Sequence, residues 1–219
     1  MNKLLKLLIL TVIFITCTGF SYSELENDNF DLTNLYDYQK KYKSEEVEVC
    51  ALGETKSYMD YRATTDPTSP QFAYMRDYMH VDDKTGFLLD DEGFIGVALG
   101  SFYGQIGDRY YFTLDSGIVL PVVKIEEKAD RDTDSSGCYH LSDGSVMEFV
   151  IDSDIANDYF GHYNNGYVLQ GNYANHKMFR GNFVKVEKVL DDLRDNYVSY
   201  EDIDEVIDNR TLFNYASGY

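Results

Sequence analysis

Asp130, Asp132 and Asp134 stand at alternate positions in an acidic stretch, Lys128 to Gly137, and Glu148 follows within the apolar run Val146 to Ile151. Alternate side chains of an extended segment project to one side, so an extended loop would line up the three aspartates. Carboxyl sets of this kind serve two chemistries. One is general acid–base work: a carboxyl group kept protonated by burial or by a neighbouring carboxylate can protonate a leaving oxygen, while a second supports it or activates a water. The other is calcium binding. A calcium loop of the helix–loop–helix type wants glycine at its sixth place and a bidentate glutamate at its twelfth. Counted from Asp130, Ser135 and Leu141 occupy those places, which leaves calcium only by another geometry. A solvated loop in an acidic chain would look the same, and that reading stands beside both.

Other reactive residues carry less. His80, His140, His162 and His176 have no paired ligand spacing, and the cysteines are far apart, so no zinc or other metal site is read. Ser101 and Ser145 lack the surroundings of a nucleophile elbow, and no cysteine has a histidine nearby, which leaves a nucleophile triad without support. No cofactor is implied. The stretch Gly161 to Gly171, rich in Tyr, Asn and His, reads as a surface loop or as a sugar-stacking edge.

The first residues bear on where such chemistry would take place. Lys3 and Lys6 precede an apolar run, Leu7 to Phe14, that only Thr11 interrupts. This is the charged and hydrophobic order of a secretory signal peptide, and the run is short of the roughly 20 apolar residues of a membrane span. Ser21 and Ser23 supply small residues ahead of a cut before Glu24, so residues 1–23 read as removed and the mature chain as secreted, without a membrane span. Cys17 offers a lipoprotein reading, but Ile15 and Thr16 ahead of it are not the small residues lipidation prefers. Export leaves Cys50 and Cys138, which could pair as one disulfide or remain two free thiols.

With 38 acidic against 19 basic residues the surface would repel nucleic acid and anionic membrane. Hydrophobic content of 44% is enough to bury a core. The organisation reads as a partly helical N-terminal arm over 24–86, with a helix over Leu32 to Tyr42 and helical turns over Gln71 to Tyr78. A β-domain follows over 87–190, then an acidic C-terminal helix or tail over 191–219. Expected strands are Ile95 to Leu99, Arg109 to Leu114, Ile118 to Ile125, Val146 to Ile151, Tyr167 to Leu169 and Phe183 to Val189. Short strands punctuated by turns such as Asp115-Ser116-Gly117 predict a mainly β fold, a small barrel or sandwich with short flanking helices.

Within this domain Val97-Ala98-Leu99-Gly100, Ile106-Gly107-Asp108-Arg109, Asp130-Arg131-Asp132-Thr133-Asp134 and Val146-Met147-Glu148-Phe149 follow one another in an order that resembles double-psi β-barrel domains of bacterial cell-wall proteins. The three-aspartate domains are the nearest pattern. In that pattern a strand ends at an Asp, a hydrophobic-Gly-Thr-Lys/Arg turn opens the next, an Asp-Thr-Gly loop follows, and an acid lies in a final strand. Here Gly100 takes the place of the first acid and Asp134 that of the loop glycine, and the loop to Glu148 is longer. The block also resembles uncharacterised secreted proteins of Gram-positive bacteria, their prophages and mobile elements. The resemblance implies a double-psi-like barrel acting on peptidoglycan or another cell-wall polysaccharide. As in lytic transglycosylases of this barrel type, Asp132 would be the acid/base, with Glu148 in support and Asp130 and Asp134 binding. The opposing expectation is a barrel that has lost the chemistry and binds a partner, and a calcium-stabilised surface module is the third.

Overall fold

The computed structural model describes residues 32–35, 38–161 and 171–190. The signal peptide, the Tyr167 to Leu169 strand and the acidic C-terminal segment lie outside the described residues.

Nine strands among the described residues form one mixed sheet: β1 (Ser44–Val47), β2 (Lys56–Asp60), β3 (His80–Val81), β4 (Leu88–Leu89), β5 (Ile95–Leu99), β6 (Arg109–Leu114), β7 (Val119–Glu127), β8 (Met147–Ile151) and β9 (Phe183–Val189). The main path runs β1-β9-β6-β7-β5-β4-β3, and β8 joins β5 to β2 off that path. Most pairs are antiparallel, but β5 lies parallel to β7 and β2 parallel to β8. The fold is mainly β. Among the described residues the sheet is not closed on itself, since β1 and β3 end its path, so the small barrel or sandwich expected from the strand pattern is found as an open, branched sheet.

Alternation along the strands sends side chains to two apolar layers. Tyr110, Phe112, Val122, Phe149 and Ile151 enter one cluster, with Phe87, Tyr173 and Phe179. Tyr111, Val123 and Val150 enter the other, with Phe94 and Tyr74. All five residues of β5 are buried, as a strand covered on both faces requires. The β6–β7 hairpin turns through Asp115-Ser116-Gly117, where Gly117 adopts φ 87° and Leu114 donates to the Ile118 carbonyl. Pro121 is tolerated in β7 because pairing with β5 begins only at Val122.

Two helices complete the layers. α1 (Pro70–Tyr78) starts at Ser69, whose hydroxyl accepts the Phe72 N–H, with Pro70 in the first turn. It packs on β7. α2 (Ser153–Phe160) starts at Asp152, which accepts from the N–H groups of Asp154 and Ile155. The alternating Val146 to Ile151 pattern gave no sign of this helix immediately downstream.

The stretch expected as an N-terminal arm contributes β1, β2 and β3 to the sheet. The expected helix over Leu32 to Tyr42 is a single 3-10 turn, Leu32–Leu35, and Tyr38 and Tyr42 pack on the second apolar layer. Lys40 pairs with Glu187, and the Tyr42 hydroxyl donates to Glu92. Aromatic rings and charge pairs thus replace the helical spacing in that segment.

A disulfide joins Cys50 to Cys138 across 88 residues, with their Cα atoms 6.1 Å apart. Replacing both cysteines with alanine should lower the unfolding free energy by about 4 kcal/mol, the loop-closure cost for that span. Urea titration of the two forms measures it.

Lys56 is fully buried, and its Nζ donates to the carbonyls of Gly53 (2.7 Å) and Gly181 (2.8 Å) while lying over the Phe183 ring. Burial lowers its pKa to about 8. Between about pH 8 and the ordinary lysine value near 10.5 the unfolded chain therefore holds the proton that the folded chain has released, so this group raises stability as pH rises through that window. Lys56→Met should remove about 3 kcal/mol of that rise, read as the difference between the stability–pH curves of the two proteins.

Candidate functional site

The end of β7 and the middle of β8 meet beside the loop that leads from β2 into α1. Between them lies an open cleft of about 440 Å³. Glu126, Glu127 and Lys128 line it from the β7 side, Glu148 from β8, and Thr64 and Asp66 from the loop. Met59 and Ala98 give it an apolar patch. The loop is fixed by Thr64, whose hydroxyl donates to Glu126 at 2.7 Å, and by Asp66, which accepts from the Thr68 N–H and hydroxyl.

Lys128 is the centre of this arrangement. Its side chain is 2% exposed, and its ammonium donates to the Ser145 carbonyl, the Ser145 hydroxyl and Glu148 Oε1, each at 2.9 Å. An ammonium has three protons, and all three are used. Ser57 on β2 donates to the Ser145 hydroxyl at 3.0 Å, so the array runs from β2 through the end of the acidic loop to β8. Burial pulls the Lys128 pKa down, and the Glu148 carboxylate opposes that shift without cancelling it.

Glu148 is the only member of the expected catalytic set in the cleft. One of its oxygens accepts from the buried Lys128 ammonium. Asp132 does not line the cleft, and no contact joins it to Glu148; its one ion pair is with the adjacent, exposed Arg131. The acidic loop is not extended. It opens with a 3-10 turn, Asp130–Asp132, so the three aspartates do not form the row that alternation suggested.

Asp130 and Asp134 hold the loop together. Asp130 accepts from the Ser101 hydroxyl at 2.7 Å. Asp134 Oδ1 accepts the N–H groups of Cys138 and Tyr139, and its Oδ2 those of Ser136, backbone and hydroxyl. The Ser136 hydroxyl, with these amides, holds the Asp134 pKa down at about 2. Asp134 thus does the work of a turn-forming residue.

Gly100 has an equally local reason. A side chain there would fall on the Gly137 carbonyl. The backbone of β5's end and that of the acidic loop are in contact, Phe102 donates to the same Gly137 carbonyl, and Lys124 clamps the Gly100 carbonyl from behind at 3.0 Å. Among the described residues no group of three or more His, Cys, Asp or Glu side chains is placed to hold a metal ion, and no helix is long and apolar enough to cross a membrane.

Sequence reasoning passed over Lys128 and Ser57, and weighed Ser145 only as a nucleophile, because a buried lysine leaves no periodic signature. Thr64 and Asp66, just ahead of Pro67, belong to no motif in the sequence. Comparison with models of known families, with curated proteins and with solved structures finds no match for this chain.

Removing one member of the Lys128–Glu148 pair should cost more than removing both. Glu148→Ala strands a buried ammonium and should destabilise by about 3 kcal/mol, while adding Lys128→Met should recover most of that loss. Denaturant midpoints of wild type, single and double variants test the coupling.

Proposed function

We propose that this chain is an exported cell-envelope protein whose β-domain is a non-catalytic relative of the double-psi barrels and binds cell-wall glycan. The observation that carries the loss of chemistry is the packing at Gly100. The place of the group's first acid is closed by the Gly137 carbonyl, so no carboxylate can enter there without moving the acidic loop. The remaining acids support the same reading. Asp130 and Asp134 are engaged in holding the loop, Glu148 anchors Lys128, and Asp132 stands outside the cleft.

Support for the barrel relationship comes from the two parallel pairs, β5 with β7 and β2 with β8, set in an otherwise antiparallel sheet and linked by the pairing of Val97 and Ala98 with Phe149 and Glu148. Support for export comes from the n-region and h-region over residues 1–23 and agrees with a disulfide in the chain. Glycan binding rests on the cleft, whose carboxylates, hydroxyls and small apolar patch are the groups that meet sugar hydroxyls and ring faces.

Purified protein incubated with insoluble cell walls should sediment with them and release no soluble muropeptide, and Asp132→Asn or Glu148→Gln should leave the supernatant unchanged. Muropeptide release by the wild type that either substitution abolishes would restore the lytic reading. Protein that stays in the supernatant would remove the wall as its ligand.

A further inference from the structure

His140 lies between the acidic loop and β8, and one of its ring nitrogens faces donors and an acceptor at once. Its Nδ1 is 3.2 Å from the Ser142 backbone N and 2.8 Å from the Ser142 hydroxyl. A backbone N–H can only donate, so Nδ1 carries no proton in this arrangement and the ring is neutral, with its proton on Nε2. The same Nδ1 is 4.0 Å from Asp143 Oδ1, within ion-pair reach once it gains a proton. Protonation therefore exchanges one set of partners for another: the Ser142 donors are lost and the Asp143 carboxylate is gained. The side chain is 28% exposed, so water can deliver that proton without the fold opening.

Asp143 has a second task. Its Oδ1 accepts the Ser145 N–H at 2.9 Å, and the Ser145 carbonyl accepts the His140 N–H at 2.9 Å. Ser145 supplies two of the three acceptors of Lys128, and Lys128 in turn holds Glu148 on the cleft wall. A chain of bonds thus leads from the half-exposed ring to the buried ammonium. Burial lowers the Lys128 pKa, and Glu148 and, less strongly, Asp143 oppose that shift. Charged groups on the elements beside the turn have partners of their own. Across the Thr133–His140 bridge, Asp130 accepts from Ser101, Asp132 pairs with Arg131, and Asp134 accepts from Ser136, Cys138 and Tyr139. On β8, Glu148 pairs with Lys128.

We propose that His140 is a pH-sensitive latch of the acidic loop, whose protonation trades Ser142 for Asp143 and passes the change through Ser145 to Lys128 and the cleft wall. The ring proton and the Ser145 N–H then compete for one carboxylate oxygen, and the charged donor is the stronger of the two. The latch belongs to the protein alone and operates whether or not the cleft binds glycan.

A titration of the purified protein followed by NMR, between about pH 8 and pH 5 where histidine changes charge, tests this. The Ser142 and Ser145 amide signals and the Lys128 side-chain signals should shift with one midpoint, that of the His140 ring. His140→Asn keeps a side-chain oxygen for the amide two residues on and does not titrate. It should hold all three sets of signals constant across the range, which separates His140 from the other histidines. Asp143→Ser keeps an acceptor for the Ser145 N–H without the charge; there Ser142 should still follow the ring, while Ser145 and Lys128 should not. A Ser142 amide indifferent to the ring, Ser145 and Lys128 signals with a midpoint of their own, or a His140→Asn protein that responds like the wild type would overturn the proposal.

Discussion

Three buried ammonium groups hold the parts of this molecule that the sheet alone would leave loose. Taking a lysine head from water is costly unless every proton finds an acceptor, and each of the three is supplied differently. Lys124 and Lys128 each meet three oxygens, one of them a carboxylate, which suits a charged ammonium. Lys56 meets two carbonyls and a ring, and two carbonyls are all that a neutral amine can serve. Burial is the main cause that lowers the Lys56 pKa. Each lysine also ties a loop to a strand: Lys56 the Gly53 and Gly181 turns to β2, Lys124 the Gly100–Gly104 turn to β7, Lys128 the end of the acidic loop to β8.

These clamps account for the shape of the acidic loop. Lys124 fixes the backbone at Gly100, and the loop can then approach so closely that Gly137 packs on it. Asp134 closes the turn from inside, the disulfide from Cys138 reaches the segment ahead of β2, and Ser145 delivers the loop's end to Lys128. In a chain with twice as many acids as bases, aspartates in a loop would repel one another. Here Asp130 and Asp134 each have a local donor, and half-buried Asp132 pairs with the adjacent Arg131.

Much of the sheet was legible in the sequence because its strands obey simple patterns. β5, β6, β7, β8 and β9 are runs of β-branched, aromatic or apolar residues bounded by Gly and Asp, and they fall within a residue or two of expectation. β1 and β2, Ser44–Val47 and Lys56–Asp60, are polar short strands. Their membership is decided by pairing with β9 and β8, which no local pattern encodes. The cleft was legible only at Glu148. Alternation of Asp130, Asp132 and Asp134 was read as an extended row, yet the Asp130 to Asp132 backbone turns, and local hydrogen bonds to aspartate side chains outweigh strand periodicity in such loops.

The same competition sets the role of individual carboxylates. Aspartate suits general acid–base work only where its oxygens are free to exchange a proton with substrate. Once Asp134 accepts three backbone N–H groups and a hydroxyl, and Glu148 accepts from a buried ammonium, each carboxylate is fixed in the role of acceptor by partners that would be left unsatisfied if it took a proton. A side chain at Gly100 would first have to displace Gly137, and with it the Phe102 amide bonded to that carbonyl. The packing of two backbones, more than the identity of any one neighbouring side chain, requires glycine at position 100.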